Sequence, residues 1–428
     1  MKDGFLRVGE RPGSRHRSGG VRGLRWAVGV LALFTMSSAC DSLLEVELPG
    51  QLVDADLNDP QLAETLVLSA QADFECGLAG YQMVTGSWAN EIQYIHTGQF
   101  IGLIRYDTRQ FLSRDHVGPC KGVGADWNPS WFPLHLSRTM AAEAVQRIET
   151  FPEGVVGDPD FLIGKARAYE GYSTLLLSEA FCGIVFEGDG VVRDRSEGFQ
   201  RAEALFTDAL NRVSASGAEE SAAIADLARV GRARARLNLG NGAGVLEDAQ
   251  AVSEGFVHYA TYDRTPTRRQ SQMQQVNNEW YTLHPDFRAV EVQGVPDPRL
   301  PTVDLGTTQT GADWWEQRKF PDEGTDIPFA SWREAQLMIA EVEGGQVAVD
   351  VINLLRDTYG LPHFESSNED EIRDQLRRER RIELFQQATK LGDDLRWGTH
   401  VDWDVGTNPI GHPYGDETCM PVPDIEFL

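Results

Sequence analysis

The chain is poor in long apolar runs, in cysteine and in basic residues, and each scarcity excludes something. The apolar run from Trp26 to Met36 is too short for a spanning helix, which wants about 20 such residues. Five cysteines in 428 residues, none in a paired Cys-x-x-Cys arrangement, exclude the common zinc modules. Against 65 acidic residues stand 39 basic ones, for a net charge of −26, a surface that repels nucleic acid and anionic lipid headgroups. Catalytic signatures are missing too: there is no His-Glu-x-x-His, no Gly-x-Ser-x-Gly and no phosphate loop. Gly240-Asn241-Gly242-Ala243-Gly244 follows a helical segment, so it lacks the strand that a dinucleotide site requires. Asp54, Asp56 and Asn58 open like a calcium loop, but Asp59 stands at the glycine position and Thr65 at the terminal glutamate. No catalytic residue, metal site or cofactor is therefore assigned, although two carboxylates could still converge in space, as glycosidases require.

What the chain does have begins at its amino terminus. Seven basic residues (Lys2, Arg7, Arg11, Arg15, Arg17, Arg22 and Arg25) precede the apolar run, and Ser37, Ser38 and Ala39 lead directly into Cys40. That is the order of a secretory signal, here over residues 1–39, with Cys40 placed for lipid attachment. The departure is Ser37, where the usual lipobox has Leu or a similar residue. An ordinary secreted protein cut near Ala39, with Cys40 free, is the alternative. Removing the signal leaves 32 basic against 63 acidic residues, a net charge of −31. Export makes disulfides permissible among Cys76, Cys120, Cys182 and Cys419. Cys76 with Cys120 is the preferred pairing, because it would staple a loop between early helices, and free buried thiols are the alternative.

An extended arm (40–57) leads into a helix start at Asn58-Asp59-Pro60, where Asn or Asp caps and Pro suits the first turn. That helix is expected to end near Phe74, and 76–133 reads as a long loop insertion rich in Gly and Trp. Helical spacing then dominates: Trp131 to Ile148, Phe161 to Phe181, Ala202 to Val213, Ala222 to Leu239 and Val245 to Val252. Between 256 and 325 the rhythm vanishes, leaving a loop-rich ligand-binding region with short strands. Helices resume over Ser331 to Glu343, Ala348 to Tyr359 and Asn368 to Leu391, and an irregular tail completes 326–428. The fold class is mainly α: a tetratricopeptide-like helical-repeat scaffold (58–255 at its amino-terminal end) with long loop-rich insertions and few short strands.

Several blocks now carry a resemblance. Leu44-Glu45-Val46-Glu47-Leu48-Pro49, then Asp297-Pro298-Arg299-Leu300, the helix Ser331 to Glu341, and Arg377-Arg378-Glu379-Arg380-Arg381-Ile382-Glu383-Leu384 followed by Asp394-Leu395-Arg396-Trp397 occur in an order that resembles the SusD/RagB family of outer-membrane nutrient-binding lipoproteins. Met420 to Glu426 looks like that family's closing segment. The resemblance spans nearly all of a single domain over 40–428, although Ala388 to Asp393 departs from the family's Glu-Gly-His/Tyr-Arg stretch. It implies a lipid-anchored binder, not an enzyme, on the external face of the outer membrane. Such a protein captures an oligosaccharide or peptide and delivers it to a SusC-like TonB-dependent outer-membrane barrel. A secreted helical glycoside hydrolase and a helical-repeat protein-assembly factor are the competing readings.

Within this frame Arg377, Glu379, Arg380, Arg381 and Glu383 can pair at helical spacings of three and four, with Arg396 joining from the next segment, which favours a structural role. Ligand contacts are sought among aromatic and polar residues of the irregular regions, because sugar C–H faces stack on flat rings while amides and carboxylates satisfy hydroxyls. Trp88, Asn90, Glu91 and Tyr94, and Trp314 and Trp315, are the candidates, with Trp127, Trp131, Trp280 and Tyr281 behind them.

Overall fold

The computed structural model describes residues 56–98, 101–110, 130–186, 188–265, 270–272 and 278–427. The signal segment 1–39, Cys40 and nearly all of the arm to 57 lie outside the described residues. Asp59 accepts from the Gln61 amide at 2.9 Å and starts a short 3₁₀ turn, Pro60–Leu62, ahead of helix α1, Ala63–Trp88. The helix thus continues well beyond Phe74, and the part of the expected loop insertion from 76 to 88 is helical. The reason is burial on every side: every residue from Asp73 to Trp88 is buried, so no amphipathic period marks the segment. Glycine, which lowers helix propensity, serves contact here, since a Cβ on Gly77 would sit 3.2 Å from Leu134 and Pro133.

Strand β1 (Ile92–Tyr94) and helix α2 (Ile101–Thr108) follow. The regular middle consists of α3 (Trp131–Thr150), α4 (Pro159–Ala180), α5 (Arg195–Ala215), α6 (Ser221–Asn238) and α7 (Gly242–Ala249), each packed on the next. Asp158, Asp194 and Asn241 cap α4, α5 and α7 through their side-chain oxygens, and Gly240, at φ 72°, ends α6. Phe206 wedges α5 against α4 and α6, where a Cβ on Gly231 would fall 2.3 Å from its ring.

Short antiparallel ladders occupy the region after α7. β2 (Val257–Ala260) pairs with β8 (Ile327–Ser331), β3 (Tyr281–Leu283) with β1, β4 (Glu291–Val292) with β5 (Val295–Pro296), and β6 (Thr302–Thr307) with β7 (Asp313–Gln317). Gln293 and Gly294 both take left-handed φ in the two-residue turn between β4 and β5. The chain then returns to helix in α8 (Trp332–Glu343), capped by Ser331, α9 (Gly345–Asp357), α10 (Glu369–Glu383) and α11 (Lys390–Trp397).

The single helix expected over Asn368 to Leu391 is therefore two. Gln386 (φ 55°) and Ala388 (φ 63°) turn the chain between them, and tertiary partners hold that turn: Gln386 donates from its amide and its Nε2 to Glu91, and the Ala388 carbonyl accepts from Arg234. The Arg–Glu block also finds its partners mostly on other elements rather than three or four residues along. Glu379 accepts from Arg356 and Arg299, Arg380 lies 2.7 Å from Asp393, Arg381 2.9 Å from Asp394, and Glu383 3.1 Å from Arg333. Arg396 bridges Glu341 and Asp393, while Arg377 stacks over Trp397 at 5.2 Å. A parallel buried pair, Arg234 with Glu179, ties α6 to α4.

Cys182 and Cys419 form a disulfide that joins the end of α4 to the tail, beside the paired backbone bonds Cys182 N to Met420 O and Met420 N to Ala180 O, both 2.8 Å. Cys76 is disulfide-bonded as well. These findings correct the free-thiol alternative for Cys76, Cys182 and Cys419. Cys120, the expected partner of Cys76, lies outside the described residues.

Candidate functional site

The tail after α11 crosses the ends of α1, α2 and β3, and polar side chains from all four converge on Asp404. Trp403 is buried and donates from Nε1 to Asp394 at 2.9 Å, which pins the tail there. Asn90, just past the Ala89 cap of α1, takes a left-handed conformation (φ 59°) that asparagine tolerates better than most residues. Gln93 sits on β1, and His284 follows β3 with its amide bonded to the Glu91 carbonyl at 3.0 Å. Arg109 ends α2.

The geometry is one-sided. Asp404 Oδ2 accepts from Gln93 Nε2 at 2.8 Å, Asn90 Nδ2 at 3.0 Å and the Tyr414 hydroxyl at 3.4 Å, and His284 Nε2 lies 3.3 Å away. Its Oδ1 receives no donor among the described residues, and the side chain is 36 % exposed. The hydrogen bond from His284, with the nearby Arg109 charge, holds this carboxyl below the usual carboxylate range, so it remains ionised. Arg109 is sandwiched between Tyr414, 4.5 Å from the ring centroid, and Trp403, at 5.4 Å. It donates to Asn90 Oδ1 at 3.1 Å and to the Asp404 carbonyl. Burial pushes two neighbouring acids, Glu91 and Asp107, up to about 7. Asp107 accepts from Asn408 Nδ2 at 2.8 Å. The result is a hydrogen-bonded polar rim around an ionised, partly exposed carboxylate whose Oδ1 has no donor among the described residues.

The residues singled out in the sequence divide sharply. Asn90 belongs to this cluster. Glu91 adjoins it but is buried and engaged by Gln386. Trp88 and Tyr94 lie in the main core, fully buried, with the Trp88 Nε1 on the Thr418 carbonyl at 3.2 Å and the Tyr94 hydroxyl on the Gly98 carbonyl at 2.7 Å. Stacking a sugar on either ring would require opening the core, so both serve packing; the end of α1 carries no period, which gives the segment the look of surface loop in sequence. Trp131 and Tyr281 are buried too, Trp131 donating to Glu426 at 2.7 Å. Trp280, half-buried, stacks on His96 at 5.2 Å. Trp314 and Trp315 are half-buried on β7. The Trp315 amide donates to Thr282, the residue opposite Gln93, and its ring lines a concavity of about 380 Å³ with Val290, Pro296 and Pro301. Trp127 lies outside the described residues. Gln93, Arg109, His284, Asp404 and Tyr414 escaped sequence reasoning, because no local motif links positions roughly 300 residues apart. Among the described residues no group of three or more His, Cys, Asp or Glu is arranged to hold a metal ion.

Residues 334–418 match the model of the SusD family, a span that includes Glu379, Asp404 and Tyr414. The solved structures extend the likeness over most of the chain. A SusD-like protein from Bacteroides fragilis matches at a TM-score of 0.63 and 13% identity, over 88% of this chain and 96% of its own. The chain thus has the SusD fold, and its residues 334–418 carry the SusD family's match. A SusD-like carbohydrate-binding protein from Bacteroides vulgatus matches at 0.59 and 13%, over 79% and 83% of the two chains. Surface glycan-binding protein A from Bacteroides fluxus matches at 0.57 and 12%, over 83% and 94%. A search of the curated proteins returned no match. At these identities the structural likeness speaks to the SusD fold alone, which is mainly helical with short two-stranded ladders, as the sequence leads one to expect.

Proposed function

We propose that this SusD-family chain is a cell-surface glycan-binding lipoprotein that captures oligosaccharide at the Asp404 rim and delivers it to a SusC-like TonB-dependent barrel in the outer membrane. The observation that carries the reading is the state of Asp404. Four neighbours fix Oδ2, while Oδ1 of this partly exposed side chain receives no donor among the described residues, the form in which a carboxylate accepts a sugar hydroxyl without first being ordered. Amide, imidazole, guanidinium and phenol groups beside it offer both donors and acceptors, which suits a polyhydroxy ligand. The similar proteins described as binding carbohydrate or glycan support the same class. Binding is the mechanism, and no bond in the ligand need break.

Anchoring rests on Cys40. No helix among the described residues is long and apolar enough to cross a membrane, so an acylated Cys40 would hold the protein at the surface. Cys40→Ser is expected to move the protein from the membrane fraction into the medium or periplasm. Purification from outer membranes is expected to recover a TonB-dependent barrel with the wild-type protein. Recovery without any barrel would argue against delivery, and release of sugar from an incubated glycan would favour the hydrolase reading.

A further inference from the structure

Beside the Asp404 rim lies a second concavity, of about 330 Å³, lined by Asp286, Phe287, Arg378, Arg381, Ile382 and Lys390. Three cations around one small pocket stand out in a chain whose net charge is −26. Part of that charge is neutralised from behind: Lys390 and Arg381 both contact the buried Asp394, at 2.6 and 2.9 Å. The rest is not. Arg378 is exposed and makes no ion pair among the described residues, and Arg381 Nε is buried without a hydrogen-bond partner. Asp286, the acidic member, is 75% exposed and so largely hydrated.

The two sites adjoin. His284 lies 3.5 Å from Asp286 through Nδ1 and 3.3 Å from Asp404 through Nε2, and Lys390 donates to the carbonyl of Ala89, the residue before Asn90. We infer that this pocket is an anion subsite, so that the preferred ligand is an acidic oligosaccharide carrying a carboxylate or sulfate group, its hydroxyls at Asp404 and its anionic group against Arg378 and Arg381. Guanidinium groups place paired N–H donors on two oxygens of a carboxylate or of a tetrahedral oxyanion. The partly enclosed setting keeps the attraction stronger than at an open surface, yet sensitive to salt.

The inference rests on the glycan reading, and calorimetry with the full mature protein separates the two. The probes are a galacturonate oligomer, a sulfated chondroitin oligomer, a neutral galactan oligomer of similar length, and inorganic sulfate. At least one acidic oligomer should bind at least tenfold more tightly than the neutral one, and its affinity should fall with added sodium chloride. Arg378→Glu should remove at least tenfold of that affinity while leaving neutral binding and thermal stability in place; Arg378→Lys should restore part of it. Acidic and neutral oligomers binding alike, with Arg378→Glu changing neither, would overturn the anion subsite and leave the glycan reading standing. Sulfate binding that depends on Arg378, with no oligosaccharide bound, would support the subsite and overturn the glycan reading. Binding by none of the probes would overturn both.

Discussion

Glu379 and Asp404 are both carboxylates gathered by several donors, yet they do opposite work. Glu379 is buried on α10 with both oxygens engaged: Oε1 by Arg356 and Gln375, Oε2 by Arg299. Asp404, partly exposed, has all its donors among the described residues on one oxygen. Saturation suits the first to a structural joint, and incompleteness suits the second to the recognition role proposed for it. Charged residues in a dense block are thus poor guides to function by themselves. What matters is whether the fold consumes every lone pair.

The comparison can be broken most forcefully at the joint. Glu379→Ala leaves Arg299 and Arg356 buried without their common partner, and breaking a buried pair from one side costs about 3–5 kcal/mol. Urea unfolding should show that loss, and a change below about 1 kcal/mol would mean the joint is not structural. The next largest effect concerns the tail that carries Asp404. Replacing Cys182 and Cys419 together by Ser should cost about 2–4 kcal/mol and weaken ligand binding with it, because the disulfide fixes the tail to α4. Full affinity in that variant would show that the rim is held by its own hydrogen bonds.

Two smaller effects sharpen the contrast. Asp404→Ala should change stability by about 1 kcal/mol, far less than Glu379→Ala, while abolishing most of the affinity. Glu91, beside the rim, tests burial as the dominant influence, against the opposing Lys390 charge and Gln386 hydrogen bond. Its folded pKa of about 7 lies above its ordinary value, so the folded state binds more protons between those two values. Its contribution to stability is therefore present at low pH and lost as pH rises toward and through 7. Glu91→Gln should flatten the stability profile between pH 5 and 8, and an unchanged slope would show that Glu91 does not titrate there. Asp393 and Asp394, held low by their cationic partners, act in the opposite sense and lose their contribution as pH falls.

Much of the scaffold was legible because helices α3 and α5 to α9 bury one face and expose another, which writes a period into the sequence. Legibility failed where that logic fails. The second half of α1 is buried all round and contains Gly77, Gly80 and Gly86, so it resembles loop in composition. The break after α10 uses Gln386 and Ala388 in left-handed conformations rather than a glycine, and only their tertiary partners reveal it. At the site, Asn90 is legible in sequence only as a polar residue beside aromatics in a segment without period. Trp88 and Tyr94, from the same short segment, pack inward. Asp404 sits in an irregular tail with no period, and its importance exists only when Asn90, Gln93 and His284 meet it in space.

The most direct test of the account is a calorimetric titration of neutral and acidic oligosaccharides into wild-type protein and Asp404→Ala side by side, with unfolding measured on the same samples. The account predicts saccharide binding by the wild type and at least a tenfold loss in the variant at nearly unchanged stability. Equal affinity in the two proteins would contradict it.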